Sequence, residues 1–309
     1  MHYDFTKTQW RLTADAAEKR KGRMMEFQQI IYTPGKIARI ILNRPQQLNA
    51  QGYQMLKEVD DAFQLAVSDP QCGVIVVSGN GRAFSAGHDL GTEEEIQYCR
   101  EHDLAGPKSM DLRRKVADMY QYYVKMTLAW RNCLKPTIAM VHGYCIYGGW
   151  MVAAAMDVLF ASKESLFLPG MVEYFSTPWD IGPKKAKEIL LEHRFVPATE
   201  ALACGFVNRL FAEEELEAET LAYAERVADN YLSAPAWTGT IKSAINHMQD
   251  TQGFSSEIEA AYTSFCLMYG LGAHSDAAPD QGGFARTDTA RKNFESAKPW
   301  LKAQGLIDA

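Results

Sequence analysis

The stretch "PTIAMVHGYCIYGGWMVAAAMDVLFAS", Pro136 to Ser162, decides the fold. "TIAMV" is a continuous apolar run, the pattern of a strand buried on both faces. "HGYCIYGG" turns the chain through glycines, "GGWMVAAAMD" is a small-residue helix, and "VLFAS" is a second strand. Strand, turn, helix and strand in succession predict an α/β protein. Gly148 and Gly149 open the helix, where backbone N–H groups lack intrahelical partners and point outward. Trp150 and Met151, the next residues, are both apolar. Any acid or base acting at this turn therefore comes from elsewhere in the chain.

Working outward, "FQQIIYT" and "IARIILN" flank "PGK" and predict a β-hairpin. "NAQGYQMLKEVDDAFQLAVSD" places Met55, Val59, Phe63, Leu65 and Ala66 at helical spacing, with Asn49 as the expected N-cap. "GVIVVSG" is another buried strand, followed by the glycine-rich "GNGRAFSAGHDL". "SMDLRRKVADMYQYYVKMTLAWRNCL" predicts one long helix, and "SLFLP" a short strand. After "GPKKAKEILLE" the chain is mostly helical, with a loop expected from Asp276 to Thr289 before a final helix. Three regions follow: an N-terminal arm at 1–23, an α/β core at 24–215 and a helical region at 216–309.

A net charge of −6 argues against a nucleic-acid binder. The basic runs "EKRKGR" and "DLRRK" read as solvated faces. None of the six cysteines forms a CxxC pair, so no zinc site is expected and the thiols read as reduced, cytoplasmic core fillers. The first residues lack a signal-peptide core, and no apolar run reaches the roughly 18 residues of a membrane span, so no membrane partner is expected.

Four stretches, in order over residues 25 to about 250, resemble the crotonase (enoyl-CoA hydratase/isomerase) superfamily. They are "ARIILNRPQQLNAQ", "GNGRAFSAGHDL", the opening stretch, and "GPKKAKEILL" with "FVPATEALACGFVNRLF". The resemblance implies an α/β crotonase (ClpP-like) spiral of ββα units with a C-terminal helical trimerisation region, assembled as a homotrimer or homohexamer. It implies an acyl-CoA thioester substrate, with coenzyme A as part of that substrate and no other cofactor or metal. It assigns the N–H groups of His88 and Gly148 as two donors to the thioester oxyanion, and Gly87 and Gly149 as shapers of the two turns. Such a donor contributes about 3 kcal/mol to the transition state. Gln46, Leu48, Ala86, Asp89 and Leu90 are expected along the bound coenzyme, with Lys292, Lys298 and Lys302 as candidates for its phosphates.

The chain departs from the family at the chemistry. Where family hydratases carry two catalytic glutamates, this sequence has Met151 and Met171. A thioether neither gives nor takes a proton at neutral pH. Glu173, two residues beyond Met171, keeps the same side-chain direction in an extended segment and is the leading candidate acid or base. Asp180 is a second candidate, or an N-cap before "IGPKKAKE". His88 is a candidate through its side chain as well as its backbone. Tyr147, Trp150, Met151 and Met171 are candidate walls of an acyl pocket suited to a bulky or ring-bearing group. Tyr120, Tyr123 and Trp130 are aromatic candidates for that wall or for core. His142 reads as a core or turn histidine. The expected activity is of the hydratase/isomerase type. A crotonase-fold hydrolase or decarboxylase, and an acyl-CoA-binding subunit without chemistry, share the same residues.

Overall fold

Two runs without polar alternation, "VIVVSG" and "TIAMV", lie side by side at the centre of a six-stranded sheet. The computed structural model describes residues 26–273 and 283–307, so the expected arm at 1–23 lies outside the described residues. The sheet contains β1 (Ile30–Thr33), β2 (Ile37–Leu42), β3 (Val74–Gly79), β5 (Thr137–Val141), β7 (Val158–Ser162) and β10 (Arg209–Phe211), in the order β1-β2-β3-β5-β7-β10. The predicted hairpin is β1 antiparallel to β2; the other pairs are parallel. A smaller sheet follows the order β4-β6-β8-β9, from Ala83–Ser85, Tyr144–Ile146, Leu166–Leu168 and Val196–Pro197. Successive strands β3 and β4, β5 and β6, and β7 and β8 thus each divide between the two sheets. That is the repeating ββα spiral.

The helices explain the apolar runs. Val74, Val76, Ile138, Met140 and Phe160 on one face pack on Leu216, Ala224 and Ala228 of α9 (Glu213–Ser233). Ile75, Val77, Ala139, Val141 and Leu159 on the other face join the main core with α1 (Tyr53–Ser68). Each large aliphatic side chain buried this way contributes roughly 1.5–3 kcal/mol. The expected division after residue 215 falls inside α9, which covers the large sheet.

Asn49 is not the cap of α1. Its carboxamide oxygen accepts from Arg44 N, and its Nδ2 donates to the carbonyls of Asn80 and Ala83. Gly52 occupies the N-cap position, and Glu95 of α2 (Glu93–Glu101) accepts from Tyr53 N at 2.9 Å. A Cβ at Gly52 would lie 2.0 Å from Glu95 Oε2, so glycine is what admits this carboxylate. A distant acid does the work expected of the local amide.

The predicted long helix is α3 (Leu112–Met119), a π-helical turn at Tyr120–Lys125, and α4 (Met126–Asn132). The wider turn separates residues that regular spacing would align. Tyr123 turns toward His88 of the first glycine loop, while Tyr120 meets Tyr262 at a tilt, 5.3 Å between ring centres. Trp130 is core: it packs on Phe63 and donates to Asp60.

Beyond α5 (Gly148–Ala154), the chain forms α6 (Thr177–Ile181), α7 (Pro183–Glu192) and α8 (Ala198–Ala203), then α9, α10 (Pro235–Thr251), α11 (Phe254–Ala273) and α12 (Gly283–Ala303). α11 returns across the core: Phe254 meets Tyr174 and Trp179, and Ile258 and Tyr262 are buried. α12 packs Ala290, Phe294, Ala297 and Leu301 on Ile146, Leu168 and Phe195. Its start at Gly283 corrects the expected loop, of which residues 276–282 lie outside the described residues.

Candidate active site

The first donor loop is built by a short parallel bridge between Gln51 and His88. Gln51 N donates to Gly87 O at 2.7 Å, and Asp89 N donates to Gln51 O at 2.9 Å. Two flanking groups thus face Gln51, and the His88 N–H faces the opposite side. Gln51 Nε2 donates to Ser85 Oγ, which donates to Asn49 O and accepts from Gly87 N. Gly87 has φ +94°, and a Cβ there would lie 2.8 Å from Ile146 O and 3.3 Å from Gly148 N. Glycine lets the two turns meet.

The second loop is strained. Tyr147, immediately before α5, has φ 47° and ψ −101°, a rare backbone conformation for a side-chain-bearing residue. It is held by donation from Tyr147 N to Leu168 O at 2.8 Å, and its ring lies where a Cβ at Gly170 would be. This twist directs Gly148 N at the Gly87 turn. Among the described residues, neither the His88 N–H nor the Gly148 N–H donates to a protein carbonyl. The two N–H groups that the resemblance nominates thus lie on adjoining turns.

Glu173 is 5 % exposed, and its Oε2 lies 3.2 Å from His88 Nε2. The two atoms are within ion-pair distance but are not aligned as a hydrogen bond, and neither has another partner among the described residues. The His88 ring meets Tyr123 edge to face at 4.3 Å. It also covers the Gly148 turn, where a Cβ would lie 3.2 Å from its Cε1. Tyr53 stands 5.5 Å from Tyr123. Burial first, then Tyr53 and the Glu173 carboxylate, push the Tyr123 phenol far above its ordinary range. Burial first, with Cys266 beside it and Glu173 beyond, does the same to Tyr262. The result is an aromatic enclosure around one carboxylate and one imidazole.

The remaining predicted residues divide. Gln46 and Leu90 are exposed, and Leu48 and Ala86 half-buried, along the first loop, where Ala86 N donates to Leu48 O. Met171 is exposed at the edge of the site. Met151 is buried in the main core. Trp150 faces away from His88: it stacks on Phe206 at 3.6 Å and is core rather than pocket wall. Asp89 is structural rather than substrate-binding. Its carboxylate accepts from Arg44 Nη1, Thr92 Oγ1, Thr92 N and Gly91 N. Burial raises its pKa, but the Thr92 backbone and hydroxyl bonds, Arg44 and Gly91 outweigh it and hold the carboxyl below its usual range. His142 takes the expected turn role beside Gly81 O. Sequence reading missed Gln51, Ser85, Tyr53, Tyr262 and Cys266. The first two lie inside the quoted stretches, but the last two reach the site only through the return of α11.

Asp180 is neither the cap of α7, whose N-cap is Gly182, nor beside Glu173. It lies within α6 and accepts from Trp150 Nε1 and Ser176 Oγ, both at 2.8 Å. Burial pushes its pKa up from 3.8 to about 6, against the pull of those two donors. The folded state therefore holds this proton more tightly than the unfolded chain. Its stabilising contribution is full below about pH 3.8 and is lost as pH rises through about 6. Asp180→Asn is expected to gain about 2 kcal/mol at pH 7 and much less at pH 4. Denaturant midpoints at the two pH values check this, and an equal effect at both would refute it.

A sequence profile of the enoyl-CoA hydratase/isomerase family matches residues 33–265. EchA13 of Mycobacterium tuberculosis, whose name assigns it provisionally to the enoyl-CoA hydratases, is 36% identical over 268 residues, 79% of this chain and 81% of EchA13. A crystal structure described as a probable enoyl-CoA hydratase from Mycobacterium smegmatis is 36% identical, with a TM-score of 0.70 over 79% of this chain and 95% of that one. An enoyl-CoA hydratase/isomerase from Xanthobacter autotrophicus Py2 is 28% identical, with a TM-score of 0.67 over 92% and 100% of the two chains. Paired glycine turns on a spiral of ββα units, matched along most of the chain by these relatives, make this protein an enzyme of the enoyl-CoA hydratase/isomerase family, in the crotonase superfamily.

Proposed function

We propose that this enzyme converts an acyl-CoA thioester through an enolate whose oxygen is held by the N–H groups of His88 and Gly148, with Glu173 moving the proton. The observation that supports this most directly is the approach of the two glycine turns, with a Cβ position at Gly87 only 3.3 Å from Gly148 N. Donors held in place before the reaction need no reorganisation as negative charge develops, which would be the source of their effect. Glu173 is the carboxylate at His88, while Met151 lies in the core. Tyr53, Tyr123 and Tyr262 favour a bulky or ring-bearing acyl group over a short one. The exposed Gln46 and Leu90 lie where the coenzyme would run. No cofactor beyond the substrate's own coenzyme A is required.

No helix among the described residues is long and apolar enough to cross a membrane. We assign the protein to the cytoplasm on its buried free thiols, Cys72, Cys99, Cys133 and Cys145. Trp237, Ile241, Ile245 and Met248 form an exposed apolar ridge on α10 that supports assembly with further copies, as a homotrimer or homohexamer.

The test is turnover of 2-enoyl- and 3-enoyl-CoA thioesters of graded acyl size. Hydrated or isomerised product, rising with acyl bulk, is the expected result. Release of free coenzyme A or carbon dioxide instead would transfer the assignment to a hydrolase or decarboxylase. Tight binding without chemistry on any thioester would overturn it in favour of a binding subunit.

A further inference from the structure

We infer that the imidazole of His88 is the second proton-carrying group of this site, acting with Glu173 where a second carboxylate is missing at Met151; this rests on the enolate reading above. His88 Nε2 and Glu173 Oε2 are 3.2 Å apart, both enclosed and without other partners among the described residues. Two buried polar atoms left unsatisfied in this way carry a cost that a purely structural contact would not retain. The ring also lies over the Gly148 turn, so it borders the carbon next to any thioester carbonyl held there.

Other ionisable groups around the pair are poorly placed to exchange protons. Burial first, with nearby charges, raises the phenols of Tyr53, Tyr123 and Tyr262. Burial also raises the Cys266 thiol, with Glu173 adding to it against a bond from Tyr262. These groups stay protonated near neutrality. Asp89 is committed to Arg44 and Thr92, and Glu95 to Tyr53 N. An imidazole can accept a proton at one ring nitrogen and return it, which the thioether of Met151 cannot.

The Cα–H bond breaks and its electron pair forms the enolate double bond, while the thioester π pair moves to oxygen, facing His88 N and Gly148 N. The proton goes to the Glu173 carboxylate and passes to His88 Nε2, leaving an imidazolium beside a carboxylate. Return of a proton to carbon regenerates thioester, neutral imidazole and carboxylate.

Exchange of the α-hydrogens of 3-phenylpropanoyl-CoA, a ring-bearing thioester of the class proposed above, in deuterium oxide, followed by NMR, tests this. Wild-type enzyme should exchange. His88→Ala should lose about 10²-fold in exchange rate, with 3-phenylpropanoyl-CoA affinity within about three-fold because the backbone donor remains. Added imidazole should restore at least about ten-fold of that loss, whereas Glu173→Gln should not respond to imidazole. His88→Gln keeps much of the ring's packing but no proton-accepting nitrogen, and should match His88→Ala; it also serves if the alanine variant does not fold. Near-wild-type exchange in His88→Gln, or a His88→Ala loss that imidazole leaves unchanged, would overturn the role of the imidazole while Glu173→Gln still reports on the enolate reading. Absence of exchange in wild type would overturn both.

Discussion

Glu173→Gln is expected to lower turnover of the acyl-CoA substrate by about 10³-fold while leaving its binding within about three-fold. The substitution is nearly isosteric and removes the negative charge and, with it, the ability to take up and release a proton. Glu173 is the buried carboxylate beside His88, and its Oε2 has no aligned hydrogen bond to lose. The fold should therefore persist, as a thermal melt within a few degrees of wild type would confirm. The loss should appear in the maximal rate rather than in KM, because the proposed role puts the carboxylate on the moving proton and the variant leaves the His88 and Gly148 N–H groups unchanged. Turnover within about three-fold of wild type would exclude Glu173 as the acid or base and return the search to His88 alone.

Asp89→Ala is expected to destabilise the protein by about 3–5 kcal/mol, read as a lower denaturant midpoint with unchanged slope. Arg44 and Asp89 have side-chain exposures of 4% and 0%, and their ion pair is 2.7 Å long. Removing the acid leaves the guanidinium with Ala50 O, Thr92 and the exposed Glu94 in a site built for a buried carboxylate. The same acid ties down Gly91 N and Thr92 N, one turn of chain beyond His88. The variant should also lose activity as the first donor loses its support. Because the folded pKa of Asp89 is depressed, its stabilisation is full above the ordinary aspartate range of about 4 and is lost as pH falls through the lower folded value. Wild type should lose stability with acid more steeply than Asp89→Ala there. A midpoint change worth under about 1 kcal/mol would show that Glu94 suffices for Arg44.

The central strands of the large sheet were legible because burial on both faces removes polar alternation, as in "VIVVSG" and "TIAMV", whereas the short strands Ala83–Ser85 and Tyr144–Ile146 of the smaller sheet were read as loop and turn. The glycine turns were legible as glycines between apolar runs, although the atoms that a Cβ at Gly87 or Gly148 would meet belong to residues distant in the chain. Three local readings failed for one physical reason. Asn49, Asp180 and Trp150 each have a strong local preference, and each instead satisfies a partner distant in the chain: Asn80 and Ala83 carbonyls, the Trp150 indole, and the Phe206 ring. Local spacing ranks what a side chain does alone, while a buried polar atom takes whatever partner packing supplies.

Residue order alone established the alternation of buried strands, glycine turns and helices. Through the family resemblance it nominated the His88 and Gly148 N–H groups as oxyanion donors and Met151 and Met171 as the positions of two family glutamates. It also nominated Glu173, Asp180, Asp89 and His88 without ranking their surroundings. Only the tertiary structure separated them. It put Asp89 into a buried ion pair, hid Asp180 under Trp150, and brought Glu173 against His88 beneath Tyr123. The side-chain direction after a turn, and the return of α11 over the site, depend on long-range packing that no local period encodes.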